Sequence, residues 1–148
     1  MIWNDWNASR RDQVDVFQTL CVPLIKQFFQ GYRTIFAYGQ TVSGKTHTIE
    51  GESDDESHVG IVPRSIDFIF AEMDFVCQGE KDHQFSVKVS FIEIYKEELH
   101  DLLDSENYPF KNLHIREDEK GNTTVINARE VSCSSAEEGK RLHRRRSC

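Results

Sequence analysis

The chain has 148 residues, 38% hydrophobic and 29% charged, so we expect one globular domain over residues 1–148 rather than a disordered chain. The net charge of −7 argues against general nucleic-acid binding, although the tail from Lys140 to Arg146 is strongly basic. The four cysteines and six histidines show no metal-ligand spacing, and no apolar run approaches the length of a membrane span. We therefore expect a cytoplasmic protein with reduced thiols and no membrane partner.

The first third of the chain predicts a helix, a strand and a second helix. Apolar residues from Gln13 to Gln30 recur at spacings of three and four, which is typical of an amphipathic helix. Pro23 lies inside this helix and should kink it or loosen one turn. The β-branched and aromatic run Thr34–Tyr38 predicts a buried strand. A further helix should begin near Gly44 and end at an acidic loop, residues 51–57.

The middle of the chain predicts a helix, a strand and a short helix. The helix should follow Val59, with Pro63 in its first turn. Between Phe85 and Phe91, apolar residues alternate with polar ones, which indicates a half-buried strand that continues to Tyr95. The segment Lys96–Leu103 is interpreted as a short helix with its leucines facing inward.

The last part of the chain predicts a hairpin and a final helix. Residues 114–117 and 123–126 should pair, with Gly121 and Asn122 supplying the turn. A helix should start near Ser135, capped by Ser134 or Ser135, and Glu138 should reach back to the cap.

A glycine-rich loop links the predicted strand 34–38 to the helix that follows. It fits the pattern G-x-x-x-x-G-K-[ST] of phosphate-binding loops and consists of Gly39, Gln40, Thr41, Val42, Ser43, Gly44, Lys45 and Thr46. Glycines let backbone N–H groups close around phosphates without a Cβ in the way. The Lys45 ammonium can reach the β- and γ-phosphates, and the Thr46 hydroxyl can ligate Mg²⁺. A strand leading into such a loop is the context that the motif requires.

Several segments together resemble the motor domain of kinesins. The matching stretches occur in the family order and are Phe36-Ala37-Tyr38-Gly39-Gln40-Thr41, Ser43-Gly44-Lys45-Thr46-His47-Thr48, Gly60-Ile61-Val62-Pro63-Arg64 and Val87-Lys88-Val89-Ser90-Phe91-Ile92-Glu93-Ile94-Tyr95. The run from Leu113 to Asn122 is most similar to the branch with the cilium- and Hedgehog-associated kinesins. Together these motifs are far more specific than a phosphate loop alone.

The resemblance implies an α/β, three-layer phosphate-loop NTPase fold with an incomplete central sheet, and ATP and Mg²⁺ as ligands of residues 39–46. It also implies that His47 packs on the adenine ring; without the resemblance, a surface histidine beside the loop is the preferred interpretation. Arg116 and Lys120 match a loop that lies against tubulin, although a plain exposed hairpin tip explains them equally well. A cytoskeletal location, with the cilium suggested by the branch, follows from the same resemblance.

The departures from the family pattern bear on activity. We find no counterpart of the adenine-covering Arg-x-Arg-Pro segment or of the two switch segments, Asn-x-x-Ser-Ser-Arg-Ser-His and Asp-x-x-Gly. Phosphoryl transfer is mostly positioning and electrostatic stabilisation, so a chain without these segments should hydrolyse ATP very slowly. Residues 31–34 are also one residue shorter than the family's approach to the strand. Val42 replaces the usual Gly or Ser, and its stiff β-branch should fit poorly if this position needs an unusual backbone conformation. We expect a truncated motor without autonomous motility.

Two other interpretations stay open. One is a non-catalytic interaction fragment with a vestigial nucleotide site. The other is an unrelated phosphate-loop kinase, for which Arg64 and Arg116 are available as further cations but nothing in the sequence links them to the loop.

Overall fold

The computed structural model describes residues 12–31, 33–52, 56–79, 84–104, 112–119 and 121–145. These residues fall into two compact units, one up to residue 83 and one from residue 84, and each is considered on its own. In the described part of the first unit the regular elements are helices, whereas in that of the second they are small antiparallel sheets and one helix. Among the helices described, none combines the length and the apolar character needed to cross a bilayer.

The first unit contains, among its described residues, four α-helices, one π-helical turn and one 3₁₀ turn. In chain order these are α1 (Gln13–Val16), the π turn (Phe17–Cys21), α2 (Val22–Phe28), α3 (Lys45–Ile49), the 3₁₀ turn (Glu56–His58) and α4 (Ile61–Gly79). Helices α3 and α4 confirm the predictions of a helix near Gly44 and of a helix with Pro63 in its first turn. Helix α4 extends to Gly79, beyond its last predicted apolar position.

Helix α1, the π turn and α2 are continuous, and Pro23 explains the change of winding between them. Proline has no backbone N–H and its ring collides with the carbonyl four residues earlier, here that of Thr19. The backbone N–H of Val22 bonds instead to the carbonyl of Phe17, five residues back, which is the π-helical spacing. The prediction that Pro23 loosens one turn is confirmed.

The core of the first unit forms along one face of this helical segment. Phe17, Cys21 and Ile25 are four residues apart and buried, and Ile61 at the start of α4 packs with them. The ring of Phe17 meets that of Phe68 edge to face, with centroids 6.2 Å apart. Edge-to-face pairs of this kind add about 0.5–1.5 kcal/mol beyond the area they bury. The helical spacing read from the sequence therefore identified the correct buried face.

The predicted buried strand Thr34–Tyr38 is wrong for the described structure. Residues 33–39 adopt no regular secondary structure, and Phe36 and Tyr38 are 82% and 70% exposed. A strand requires a neighbouring strand to satisfy its backbone groups, and the three described sheets pair other segments. Composition gives this segment its strand propensity, but pairing decides whether a ladder forms.

The second unit contains, in the part described, three two-stranded antiparallel sheets and one helix. Its strands are β1 (Val87–Val89), β2 (Ile92–Tyr95), β3 (Glu98–Asp101), β4 (His114–Glu117), β5 (Thr123–Ile126) and β6 (Val131–Cys133), and its helix is α5 (Ala136–Arg145). The sheets pair β1 with β6, β2 with β3, and β4 with β5. The strand predicted from Phe85 to Tyr95 is thus two strands that belong to different sheets.

The helix predicted for Lys96–Leu103 is also wrong, because this segment turns back as strand β3. Tyr95 pairs with Glu98, so Lys96 and Glu97 form a two-residue loop. Both have positive φ, 50° and 68°, as a type I′ hairpin turn requires. The sequence lacks the Asn-Gly or Asp-Gly that marks such turns, and its Lys-Glu-Glu-Leu composition favours a helix. The antiparallel pairing with β2 overrides that propensity.

The last hairpin and the last helix are confirmed. Strands β4 and β5 pair from His114 opposite Ile126 to Glu117 opposite Thr123, and Gly121 takes a φ of 81° in the turn. The side chain of Asp118 holds this turn by accepting from the backbone and side-chain nitrogens of Asn122, each at 2.8 Å.

The start of α5 is capped as the sequence indicates. The backbone N–H of Glu138 donates to Ser135 Oγ at 3.3 Å, and Glu138 accepts from the backbone N–H and the hydroxyl of Ser134 at 3.0 and 2.9 Å. These bonds hold the pKa of the Glu138 carboxyl below its ordinary value. They satisfy backbone donors that the first helical turn would otherwise leave without partners.

Candidate functional site

The glycine-rich loop lies between the extended segment 33–39 and helix α3. The backbone N–H of Ser43 donates to the carbonyl of Gln40 at 3.2 Å, which closes a turn within the loop. Gly44 has a φ of 86° and precedes the first residue of α3, a left-handed conformation that glycine adopts without steric cost. A Cβ on Gly39 would come within 2.5 Å of Ser43 Oγ. Both glycines of the motif thus stand where a side chain would strain or crowd the loop.

Val42, at the tip of the loop, also has a positive φ, 68°. This region is unfavourable for a β-branched residue, because its Cβ comes too close to the carbonyl oxygen that follows. The side chain is 97% exposed, so no packing compensates for the strain. The sequence-based concern that valine fits this position poorly is confirmed by the backbone conformation.

Lys45 places its charge against the loop itself. Its Nζ donates to the carbonyl oxygens of Gly39 and Gln40, at 2.8 and 2.7 Å. These short charge-assisted bonds hold the ammonium beside the first two residues of the loop. The sequence therefore folds so that the motif's single cation lies against the carbonyls at the start of the loop.

Thr46, the candidate Mg²⁺ ligand, lies exposed in the first turn of α3. Among the residues that the structure describes, no three His, Cys, Asp or Glu side chains cluster in a way that would hold a metal ion. The exposed loop with its lysine, rather than a cage of carboxylates, suits an anionic ligand.

His47, the candidate base contact, is held by Gln13, a residue outside the motifs. Gln13 Nε2 lies 2.6 Å from the backbone oxygen of His47 and 3.0 Å from its Nδ1. The His47 ring also meets the ring of His58, with centroids 6.0 Å apart and planes inclined by 66°. A signal was present in the sequence: Gln13 stands four residues before Phe17 on the buried apolar face, where a polar side chain needs a partner.

The remaining candidate residues belong to other parts of the chain. Arg116 is exposed on β4, opposite Thr124, in the second unit. Lys120 lies outside the described residues. In the first unit, Arg64 Nε donates to the backbone oxygen of Val59 at 2.9 Å, a bond that anchors the start of α4.

The comparisons with known proteins are consistent along the chain. The family model described as "Kinesin motor domain" matches residues 3–146. "Kinesin-like protein KIF27" of Homo sapiens is 48% identical over 133 residues, which cover 85% of this chain and 9% of that protein. The protein of the same name from Rattus norvegicus is 46% identical over 130 residues, again 85% and 9%. "Chromosome-associated kinesin KIF4A" of Homo sapiens is 42% identical over 120 residues, 78% of this chain and 9% of that relative.

The chain thus spans about a tenth of the length of the curated relatives it matches. The matched family is one of motor domains, which use nucleotide and Mg²⁺ in general. The match covers nearly the whole chain and includes the glycine-rich loop, and the identity to several relatives exceeds 40%. On these grounds the chain belongs to the kinesin motor domain family.

Proposed function

We propose that residues 39–46 bind the phosphates of Mg-ATP and that the chain is a nucleotide-binding portion of a kinesin-type, microtubule-based motor. The observation that carries the proposal is the position of the Lys45 ammonium, 2.8 and 2.7 Å from the carbonyls of Gly39 and Gln40 in an exposed glycine-rich turn. An incoming polyphosphate offers this ammonium stronger acceptors than neutral carbonyls.

Each residue of the loop has a role in this proposal. Lys45 neutralises phosphate charge, the positive φ of Gly44 turns the backbone into α3, and the Thr46 hydroxyl joins the coordination of Mg²⁺. The metal ion, when bound with the nucleotide, neutralises charge on the phosphate oxygens. The exposed His47 ring provides a planar surface for the base.

The wider family properties belong to the same proposal. They comprise the three-layer phosphate-loop fold with its incomplete central sheet, a cytoskeletal location with the cilium suggested by the branch resemblance, and tubulin as partner. Arg116, exposed on β4, is the described candidate for the tubulin contact. Lys120 remains a candidate from the sequence alone.

A second candidate function, a non-catalytic interaction fragment, is favoured by the segment 33–39. This segment is extended and carries Phe36 and Tyr38 at 82% and 70% exposure, with no ladder among the described residues. Extended apolar segments of this kind can accept a partner strand. Under this interpretation the phosphate loop is vestigial.

Calorimetric titration of Mg-ATP into the purified 148-residue chain separates the two functions. We expect saturable binding to the wild type, its loss in Lys45→Ala, and unchanged affinity in Lys88→Ala. Lys88 is a matched control because it is an exposed lysine of the second unit that pairs with Glu130 at 3.3 Å. Equal affinity in Lys45→Ala would place the ligand elsewhere, and absence of binding to the wild type would favour the interaction fragment.

Turnover tests the motor part of the proposal. We expect the isolated 148-residue chain to show neither microtubule-stimulated ATPase nor motility, because the segments that position water in the family have no counterpart in this sequence. ATP turnover and cosedimentation would be measured with and without microtubules at two salt concentrations, since attraction through exposed charges is screened by salt. Robust stimulation at physiological salt would contradict this expectation.

A further inference from the structure

Gln13 connects the start of α1 to the residue that follows the phosphate loop, 34 positions later in the chain. Its side chain is only 8% exposed, and its Nε2 lies 2.6 Å from the backbone oxygen of His47 and 3.0 Å from Nδ1 of the same residue. A single amide group therefore bonds both the backbone and the ring of His47. Two bonds from one amide nitrogen restrict the His47 ring more than a bond to either atom alone.

These contacts determine which ring nitrogen of His47 carries the proton. The side-chain amide of Gln13 must turn its nitrogen toward His47, because its oxygen in the same place would face the backbone oxygen of His47 at 2.6 Å. An amide nitrogen donates and does not accept, so Nδ1 of His47 must be the acceptor. The ring is then neutral, with its proton on Nε2.

The surroundings of the ring leave it accessible to a ligand. His47 is exposed although its Nδ1 is bonded to a buried side chain. The His58 ring lies against it at an inclination of 66°, with centroids 6.0 Å apart. Between the amide of Gln13 and this ring, the His47 imidazole is confined in orientation while still reachable from solvent.

We propose that Gln13 is a positioning residue for nucleotide, which fixes the orientation and the Nε2-protonated tautomer of His47 and so presents a neutral aromatic face to a nucleobase. This inference rests on the proposed function of the loop. The new element is that the base-binding side of the site is supported by the buried face of the first helical segment (α1, the π turn and α2), not by the loop. Gln13 acts through His47 and needs no contact with phosphate, so its effect depends on the presence of a base.

The test compares a ligand that has a base with one that lacks it. The dissociation constants of Mg-ATP and of Mg-tripolyphosphate would be measured for the wild type, for Gln13→Met, which keeps the side-chain length but removes the donor, and for Gln18→Met. Gln18 is an exposed glutamine of the same helical segment and is the matched control. We expect Gln13→Met to weaken Mg-ATP about threefold to tenfold, the range for one net hydrogen bond, and to change Mg-tripolyphosphate by less than about twofold.

Two further measurements exclude a merely structural role. In the nucleotide-free wild type, ¹⁵N chemical shifts of His47 should show an unprotonated Nδ1 and a protonated Nε2. Gln13→Glu replaces the donor by oxygens that the His47 backbone carbonyl repels, so this single-tautomer signature should be lost. In a His47→Ala background, Gln13→Met should cause no further loss of Mg-ATP affinity. The first measurement requires no ligand, and the second requires only that His47→Ala binds.

The outcomes are distinguishable. The role of Gln13 would be overturned, with the phosphate loop left in place, by any of three results. These are an equal loss of affinity for both ligands in Gln13→Met, an unchanged affinity of that variant for Mg-ATP, or a protonated Nδ1 of His47 in the wild type. If Gln13→Met does not fold, the tautomer of the wild type and its response to Gln13→Glu decide the question. A wild type that binds neither ligand overturns the proposed function of the loop, and this inference with it.

Discussion

Replacement of Val42 by glycine should stabilise the phosphate loop. The residue has a φ of 68° and a side chain that is 97% exposed, so the substitution removes steric strain without removing buried surface. The left-handed conformation costs a residue with a Cβ about 1–2 kcal/mol. Glycine costs about 0.5–1 kcal/mol more backbone entropy on folding. The difference between the centres of these ranges leaves a net gain in the free energy of unfolding of about 0.7 kcal/mol.

Urea unfolding would measure this gain. With a denaturant dependence of about 1–3 kcal/mol per molar urea, the midpoint should rise by roughly 0.2–0.7 M. Gly44→Ala is the reciprocal control: Gly44 has a φ of 86° with no atom within 4 Å of the position that a Cβ would take, so alanine there adds strain and no clash. By the same balance of strain and backbone entropy, it should lower the stability by about 0.7 kcal/mol. If Val42→Gly lowers the midpoint, or Gly44→Ala leaves it unchanged, the argument from backbone strain is wrong.

Three further predictions concern other parts of the chain. Ser135→Ala removes a cap of α5 and should cost about 1 kcal/mol by urea unfolding, whereas Ala in place of the exposed Ser132 on β6 should change the stability by less than about 0.5 kcal/mol. Burial raises the pKa of the Cys21 thiol from 9.0 to about 11. The stability that depends on the neutral thiol is therefore fully present below pH 9 and lost as the pH rises through 11. Alkylation near pH 8, followed by mass spectrometry, should modify the exposed Cys77 before the buried Cys21. Phe36→Lys should leave the unfolding midpoint within error but reduce self-association in light scattering, because Phe36 is 82% exposed; a clearly lower midpoint would show that its ring is packed.

The elements that the sequence predicted correctly are those whose causes are local. The four-residue spacing of Phe17, Cys21 and Ile25 identifies a buried helical face without knowledge of what covers it. Pro23 changes the winding through its own ring and its missing N–H. The hairpin turn at Gly121 and the cap at Ser135 likewise depend on residues only a few positions apart.

The elements that the sequence predicted wrongly depend on pairing between strands. Residues 98–101 have a helical composition but lie opposite β2, and the turn that brings them there has positive φ at Lys96 and Glu97, which the residue types do not signal. The apolar alternation from Phe85 onward does not reveal that β1 pairs with β6, more than 40 residues later. The spacing of apolar residues and the composition describe a single strand, whereas a sheet also depends on which second strand pairs with it.

The candidate site combines both kinds of information. The loop motif is local, so the sequence predicts Gly39, Gly44 and Lys45 as a group, and their conformations follow from glycine's freedom and from one lysine side chain folding back on the turn. The contact between Gln13 and His47 is non-local, yet it has a sequence trace, since a glutamine stands at the start of an otherwise apolar helical stripe. A polar residue at a buried position must find a partner, and here that partner is the residue directly after the loop. The partner that a buried polar residue needs therefore links a local sequence pattern to a long-range contact. In this chain that contact joins the first helical segment to the proposed nucleotide site.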